Sequence, residues 1–248
     1  MSTEKMPSNL ILLHQGEEEL RGKSIELVET SPKLLLHFQI TERAMDALDV
    51  FRQYRTADED FKVVQMLSLR VFNALAAATK LMLSGYYLFS AQILRDILET
   101  VFLLDFFRTN SAAITTWRNA TREERLRDFK PVKVREELDA RDGYTTKKRA
   151  LLYQQFSELA GHASMVSVAM LRPKGLEATN TPFVDPNALE AVSSEMGRLA
   201  VQAGEIIVAM VRTDDKAFVI KFADVASAFV DMKTKWIETF YGKTPDAA

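Results

Sequence analysis

The stretch from Val71 to Phe107 is the most apolar in the chain, and the charges set into it decide what the chain can become. Lys80, Arg95, Asp96, Glu99 and Asp105 cut it into pieces shorter than the roughly 20 apolar residues that cross a bilayer, so it reads as soluble core and not as a membrane span. Ser84-Gly85 divides it, because glycine readily adopts the dihedrals that end a helix. The first half belongs to a helix over Asp58 to Leu83, with Phe61, Val64, Leu67, Val71, Leu75, Ala78 and Met82 at three- and four-residue spacing. The second, Tyr86 to Arg108, is apolar almost all round. A helix of that kind belongs in the middle of a bundle.

Breakers are scarce elsewhere too. Nine Gly and seven Pro in 248 residues are about half of average usage, which excludes a turn-rich sandwich and implies long, uninterrupted elements. Periodicity predicts helices over Glu17 to Val28 and Thr41 to Arg55, the latter with Thr41 as N-cap. It predicts further helices over Ala112 to Lys130 and Lys133 to Arg141 on either side of Pro131, and over Thr146 to Ala160 with Gly161 ending it. From Ser164 to Val184 the pattern breaks: Met165, Val166, Val168 and Met170 lean toward alternation, and Pro173, Gly175, Asn180 and Pro182 are loop formers, so an extended excursion or small hairpin is expected. Asp185-Pro186 is a helix start, with the stripe Leu189, Val192, Met196, Leu199, Ala203, Ile207, Met210 behind it. After Thr213-Asp214-Asp215 a last helix carries Phe218, Phe222, Val225, Phe229, Met232, Trp236 and Phe240, and the short turn requires it to lie antiparallel to the one before. The expectation is an all-α bundle of about seven helices with one irregular or short β-like excursion after residue 161. Residues 1–30 form a helical arm and residues 31–248 a single domain.

The chain has no Cys, which removes disulfides, thiolate metal sites and cysteine nucleophiles together and fits a reducing compartment. With 32 basic and 34 acidic residues the net charge is −2, so no whole-chain field attracts a polyanion or an anionic membrane. The first 20 residues lack the basic-then-apolar order of a secretory signal, and a cytoplasmic protein is expected. No Walker-type, GxGxxG, GxSxG or HExxH motif is present, so those nucleotide, hydrolase and zincin sites lack their defining residues. Three His far apart in sequence (His14, His37, His162) predict no metal site, and no cofactor is expected.

Two groups of polar residues stand out against this apolar background. On the central helix Gln92, Arg95, Asp96, Glu99 and Thr100 form one narrow stripe, in which Arg95 and Glu99 can pair. Such a stripe either faces solvent or lines a pocket or interface, where its charges must be paired. The second group is Tyr153, Ser157, Glu158, His162 and Ser164, crowded around a helix end, where a protonated imidazole is favoured. These side chains either cap the helix or act on a ligand.

Together, Ala91-Gln92-Ile93-Leu94-Arg95-Asp96-Ile97-Leu98-Glu99 and, after Tyr153, Phe156-Ser157-Glu158-Leu159-Ala160-Gly161-His162-Ala163-Ser164 resemble a family of uncharacterised bacterial all-helical proteins. In that family an Arg and a Glu four apart on a central helix precede a Tyr and a Leu-Ser-Glu-x-x-His-like run. The likeness covers Leu67 to Ser164 and implies an all-helical fold without an established activity. A looser similarity is to HEPN-type helical domains, many of them RNases. This chain departs from them because no His is preceded by an Arg at four to six residues, so that ribonuclease site is not carried over.

Over residues 117–150, eleven basic residues outnumber seven acidic ones, an interleaving that reads as a solvated surface with i, i+4 pairs and, less simply, as a phosphate-backbone contact. Two functions follow from these residues. The first is a non-enzymatic interaction module, a homo-oligomer through its C-terminal helices, with Arg95, Glu99, Glu158 and His162 as an internal polar network. The second is a small-molecule or phosphate-binding enzyme, or an HEPN-like RNA-interacting protein, built on the same four groups. There His162 would move the proton, Arg95 would clamp a carboxylate or phosphate, and Glu99 and Glu158 would orient them. Tyr153, Ser157 and Ser164 would join Arg95 as ligand contacts.

Overall fold

Each long helix downstream of residue 30, apart from the central one, begins at a side chain that satisfies its free N–H groups. Ser31 Oγ accepts from Leu34 N with Pro32 in the first helical position, and Asp58 accepts from Asp60 N (2.8 Å) and Phe61 N (3.2 Å). Asp185 does the same for Asn187 N and Ala188 N, and Asp215 for Ala217 N and Phe218 N. The computed structural model describes residues 6–158, 167–168, 170–172, 177–179 and 181–242. Among the described residues ten helices occur: α1 (Ser8–Thr30), α2 (Pro32–Arg52), α3 (Glu59–Leu83), α4 (Tyr87–Thr109), α5 (Ala112–Asn119), α6 (Arg122–Asp128), α7 (Pro131–Arg141), α8 (Lys148–Phe156), α9 (Pro186–Met210) and α10 (Lys216–Tyr241).

The fold is all-α, and it corrects the expectation in two places. There are more than seven helices, partly because the single helix expected over 112–130 is two: Thr121 and Glu124 close a reciprocal capping box that starts α6. Thr41 is no N-cap. It lies buried in the middle of α2, where its hydroxyl donates to the His37 carbonyl (2.8 Å), and the true start is Ser31-Pro32. After residue 161 no strand occurs among the described residues: Met170 N bonds Ser167 O, Leu171 N bonds Val168 O, and Thr179 N reaches back across the loop to Leu171 O (3.1 Å). Met165 and Val166 lie outside the described residues.

The centre is a four-helix layer of α2, α3, α4 and α9, with α9 packed broadly on α2 and α4, and α3 on α4. Its interior holds Phe51, Leu75, Met82, Tyr87, Leu94, Phe107 and Leu199, all essentially inaccessible. α3 alone among the described helices is long and apolar enough to cross a membrane by length and composition; Val64, Val71, Leu75, Ala78 and Met82 on it are buried in this core. On one flank α10 rests chiefly on α2. Phe229 sits against Gly204, where a Cβ would come within 2.4 Å of its ring, and Trp236 sits against Gly197. Seven residues back on α9 matches seven forward on α10, so the pair is antiparallel as expected. On the other flank α7 and α8 pack on α4.

Candidate functional site

The structure divides the polar stripe of α4: Asp96, Glu99 and Thr100 line a cavity of about 300 Å³ together with Arg70, and Arg95 and Gln92 do not. Gln92 is exposed, Asp96 pairs with Arg70 of α3 (Nε–Oδ2 3.1 Å), and Thr100 is buried with its hydroxyl on the Asp96 carbonyl. Arg95 and Glu99, both half-buried, turn toward α7 and α8 and pair at 3.3 Å. α8 crosses this face antiparallel to α4: Tyr153 lies beside Arg95, and Arg149, one turn earlier, lies over Phe102, two turns later on α4.

Tyr153 is the meeting point. Arg95 Nη2 donates to its hydroxyl, with the guanidinium carbon 4.8 Å from the ring centroid, and Arg135 of α7 stacks on the same ring at 3.9 Å. Arg135 is 8% exposed, and its Nε and Nη1, like Arg95 Nε, are buried without a hydrogen-bond partner. Helical spacing offers Arg135 one carboxylate, Asp139, a turn further on; that group is held by Arg149 instead (2.9 Å). Glu99 is held by Arg95. Among the described residues no carboxylate lies within ion-pairing distance of Arg135, and residues 159–166, which follow α8, contain no Asp or Glu. Two guanidiniums share one ring and one nearby carboxylate, which leaves a buried excess of one positive charge.

Of the residues singled out from sequence, Arg95, Glu99 and Tyr153 are thus brought together. Ser157 directly follows α8 and donates its hydroxyl to the Tyr153 carbonyl (2.9 Å), a local bond within the helix end. Glu158 is exposed and accepts from Gln154 Nε2 (2.7 Å). His162 and Ser164 lie outside the described residues. Arg135 was not legible as a site residue, because Asp139 four residues later makes it look like half of a routine surface pair.

The interleaved charges over 117–150 do more than coat a surface. Asp139, Arg149, Asp142, Arg141, Asp105 and Arg108 form a continuous ladder of alternating sign that ties α4, α7 and α8 together. Arg141 grips Asp105 with two nitrogens (3.1 and 2.8 Å) and Asp142 with its Nε (2.7 Å). The bonds from Arg141, with help from Arg149, pull the Asp142 carboxyl down to about 2. Burial pushes Asp105 up, yet Arg141 and Arg108 outweigh it and leave it below its ordinary value. A carboxyl with a depressed folded-state pKa contributes stability that is present above its unfolded value, near 4, and is lost as the pH falls toward 2. Asp142→Asn is therefore expected to lower stability at pH 7 by about 1 kcal/mol, allowing for partial exposure, and to flatten urea-derived stability between pH 4 and 2. An unchanged midpoint at pH 7 would mean that the ladder contributes nothing net.

A second buried polar contact lies on the opposite flank. His37 of α2 is 2% exposed, its Nδ1 accepts from Trp236 Nε1 (2.9 Å), and Phe240 stacks on its ring at 4.3 Å. An accepting Nδ1 places the proton of the neutral ring on Nε2. Burial pushes the imidazole down to about 4. Among the described residues no three His, Asp or Glu side chains are placed to hold a metal.

No protein-family model matches the chain, and no curated protein or solved structure matches it either.

Proposed function

We propose that this chain is a cytoplasmic, non-enzymatic binding module that holds a small anionic group, phosphate or carboxylate, where α4, α7 and α8 meet. The observation that carries the reading is Arg135, a buried guanidinium with two unpartnered nitrogens. A buried cation without a counter-charge costs several kcal/mol, and an anion admitted beside Arg135 and Arg95, onto which none of the described cavities opens, removes that cost while accepting the free N–H groups. The depth of Arg135 favours a free or terminal anion over the backbone of a nucleic acid. Much of the basic excess is also already engaged: Arg118 on Asp60, Arg127 and Lys133 on Asp128, and Arg125 on the Trp117 and Ala120 carbonyls.

Thermal unfolding of wild type and Arg135→Met, in chloride and in phosphate or acetate at matched ionic strength, tests this. In chloride Arg135→Met is expected to be more stable than wild type by about 1–3 kcal/mol, because an unpaired buried charge gives way to an apolar side chain. In phosphate or acetate the wild type gains about 2–3 kcal/mol at a hundredfold excess over Kd, and the variant gains nothing beyond the general salt effect. A destabilised variant together with a wild type indifferent to both anions would make the cluster a structural network. A short RNA in the same assay separates the nucleic-acid reading, which requires binding that weakens with salt.

A second reading, self-association through the C-terminal helices, draws on one feature. α10 buries Phe218, Phe222, Phe229 and Trp236, while Val219, Val230, Ile237 and Tyr241 form another stripe at helical spacing and are exposed. Sedimentation velocity of wild type and Val230→Lys decides it: a dimer that the charge dissociates supports the reading, and a wild-type monomer overturns it.

A further inference from the structure

A cavity of about 530 Å³ is lined by none of Arg95, Arg135 or Tyr153. It lies where α4, α8 and α9 meet, further along the α4–α8 seam. Its size is that of a small-molecule site. The floor is apolar: Phe102 and Ile206 are nearly inaccessible from outside, and Leu152 completes it. The rim is charged, and the pairing around it leaves a definite remainder. Asp105, Arg108 and Arg149 belong to the six-membered ladder, which is neutral as a whole. Glu205, on the α9 wall, is held by Lys233 of α10 (2.9 Å). Lys148 is left: among the described residues no carboxylate pairs with it, and its ammonium lies 4.6 Å from the Tyr144 ring, another lining residue.

We propose that this cleft binds an amphipathic organic anion, an acyl or aryl chain ending in a carboxylate or sulfonate. The chain lies on Phe102, Leu152 and Ile206, and the anionic end meets Lys148 at the rim. Both rim carboxylates are engaged by arginine or lysine and present no free negative charge to repel it. The ladder serves the site as well, because it fixes Arg149 and Arg108 as walls instead of leaving them to sweep across the opening. A cationic ligand of the same shape meets the uncompensated Lys148 charge and is disfavoured. This inference does not depend on the anion cluster around Tyr153, which lies outside the cleft.

Fluorescence titration of the full chain with anilinonaphthalene sulfonate, followed by displacement, tests it. The expected result is saturable binding near one probe per chain, displaced by decanoate and not by decyltrimethylammonium. Lys148→Gln, an exposed substitution, is expected to weaken both anions about tenfold without moving the melting temperature. Gln202→Trp fills the cleft from its α9 wall and is expected to abolish binding. Arg135→Met leaves the titration unchanged, so failure here is distinguishable from failure at the Tyr153 cluster. Absence of saturable binding, displacement by the cation as readily as by decanoate, or affinity indifferent to Lys148→Gln would each overturn the proposal.

Discussion

Gly85→Ala is expected to destabilise the protein by about 3 kcal/mol or more, a large effect for the addition of one methyl group. Two costs add. Gly85 has φ +86°, a left-handed conformation that costs an L side chain about 1–2 kcal/mol. Its Cβ would also stand 2.4 Å from the Phe183 carbonyl oxygen and 2.7 Å from the Phe183 nitrogen. These are backbone atoms, which cannot swing aside as a side chain can, so the α3–α4 turn and the approach to α9 must separate. That movement strains two contacts at the start of α4: the edge-on packing of Phe183 against Tyr87 and the bond from Asp185 N to the Tyr87 hydroxyl (3.0 Å). Gly143 is the control. Its φ is +69° but nothing lies within 4 Å of a Cβ there, so Gly143→Ala is expected to cost only about 1 kcal/mol. Chemical denaturation of the two variants measures the difference, and equal losses would show that the Phe183 contact yields freely.

The second large effect is on acid stability. A His with a depressed folded-state pKa binds fewer protons than the same residue unfolded, so it contributes stability that is complete above about pH 6.5 and is lost as the pH falls through about 4. The full loss attributable to His37 is about 3 kcal/mol. Protonation places a second N–H where Nδ1 now accepts from Trp236, so the bond joining α2 to α10 turns into two opposed donors. Stability measured by urea denaturation from pH 7.5 to 4 is expected to fall for wild type and to stay nearly level for His37→Phe. Parallel profiles would place the acid sensitivity elsewhere. The Asp142 loss begins only where this one is ending, near pH 4, so the two are resolved in a single titration.

The all-α class was legible because few breakers and sustained three- and four-residue spacing can be satisfied only by long helices. Gly85 and Asp185-Pro186 announced their boundaries through chemistry that acts within a few residues. The start of α2 was misplaced because Thr41 imitates a cap; a hydroxyl inside a helix finds the carbonyl four residues back just as readily as it caps a new one. The site divided along the same line. Arg95, Glu99 and Tyr153 were visible as polar residues out of keeping with apolar surroundings. Arg135 and the rungs of the ladder sit in helices rich in both signs, where local spacing suggests surface pairs. Which partner each charge takes depends on helices that meet only in three dimensions. His37 gave no signal at all, since its partner lies 199 residues away.

The ladder has a consequence for how the molecule comes apart. α8 buries only Phe156 and α7 little more than Val134 and Leu138, so this flank has little apolar burial; Arg149 ties α8 to α7, and the Arg141–Asp105 pair ties α7 to α4. α10 is joined to α2 and α9 mainly by Phe218, Phe222, Phe229 and Trp236. Ion pairs weaken as screening grows, whereas apolar contacts strengthen in excluded salts. The two flanks therefore respond to ionic strength in opposite senses, and the seam that carries both the Tyr153 cluster and the cleft lies on the one that loosens.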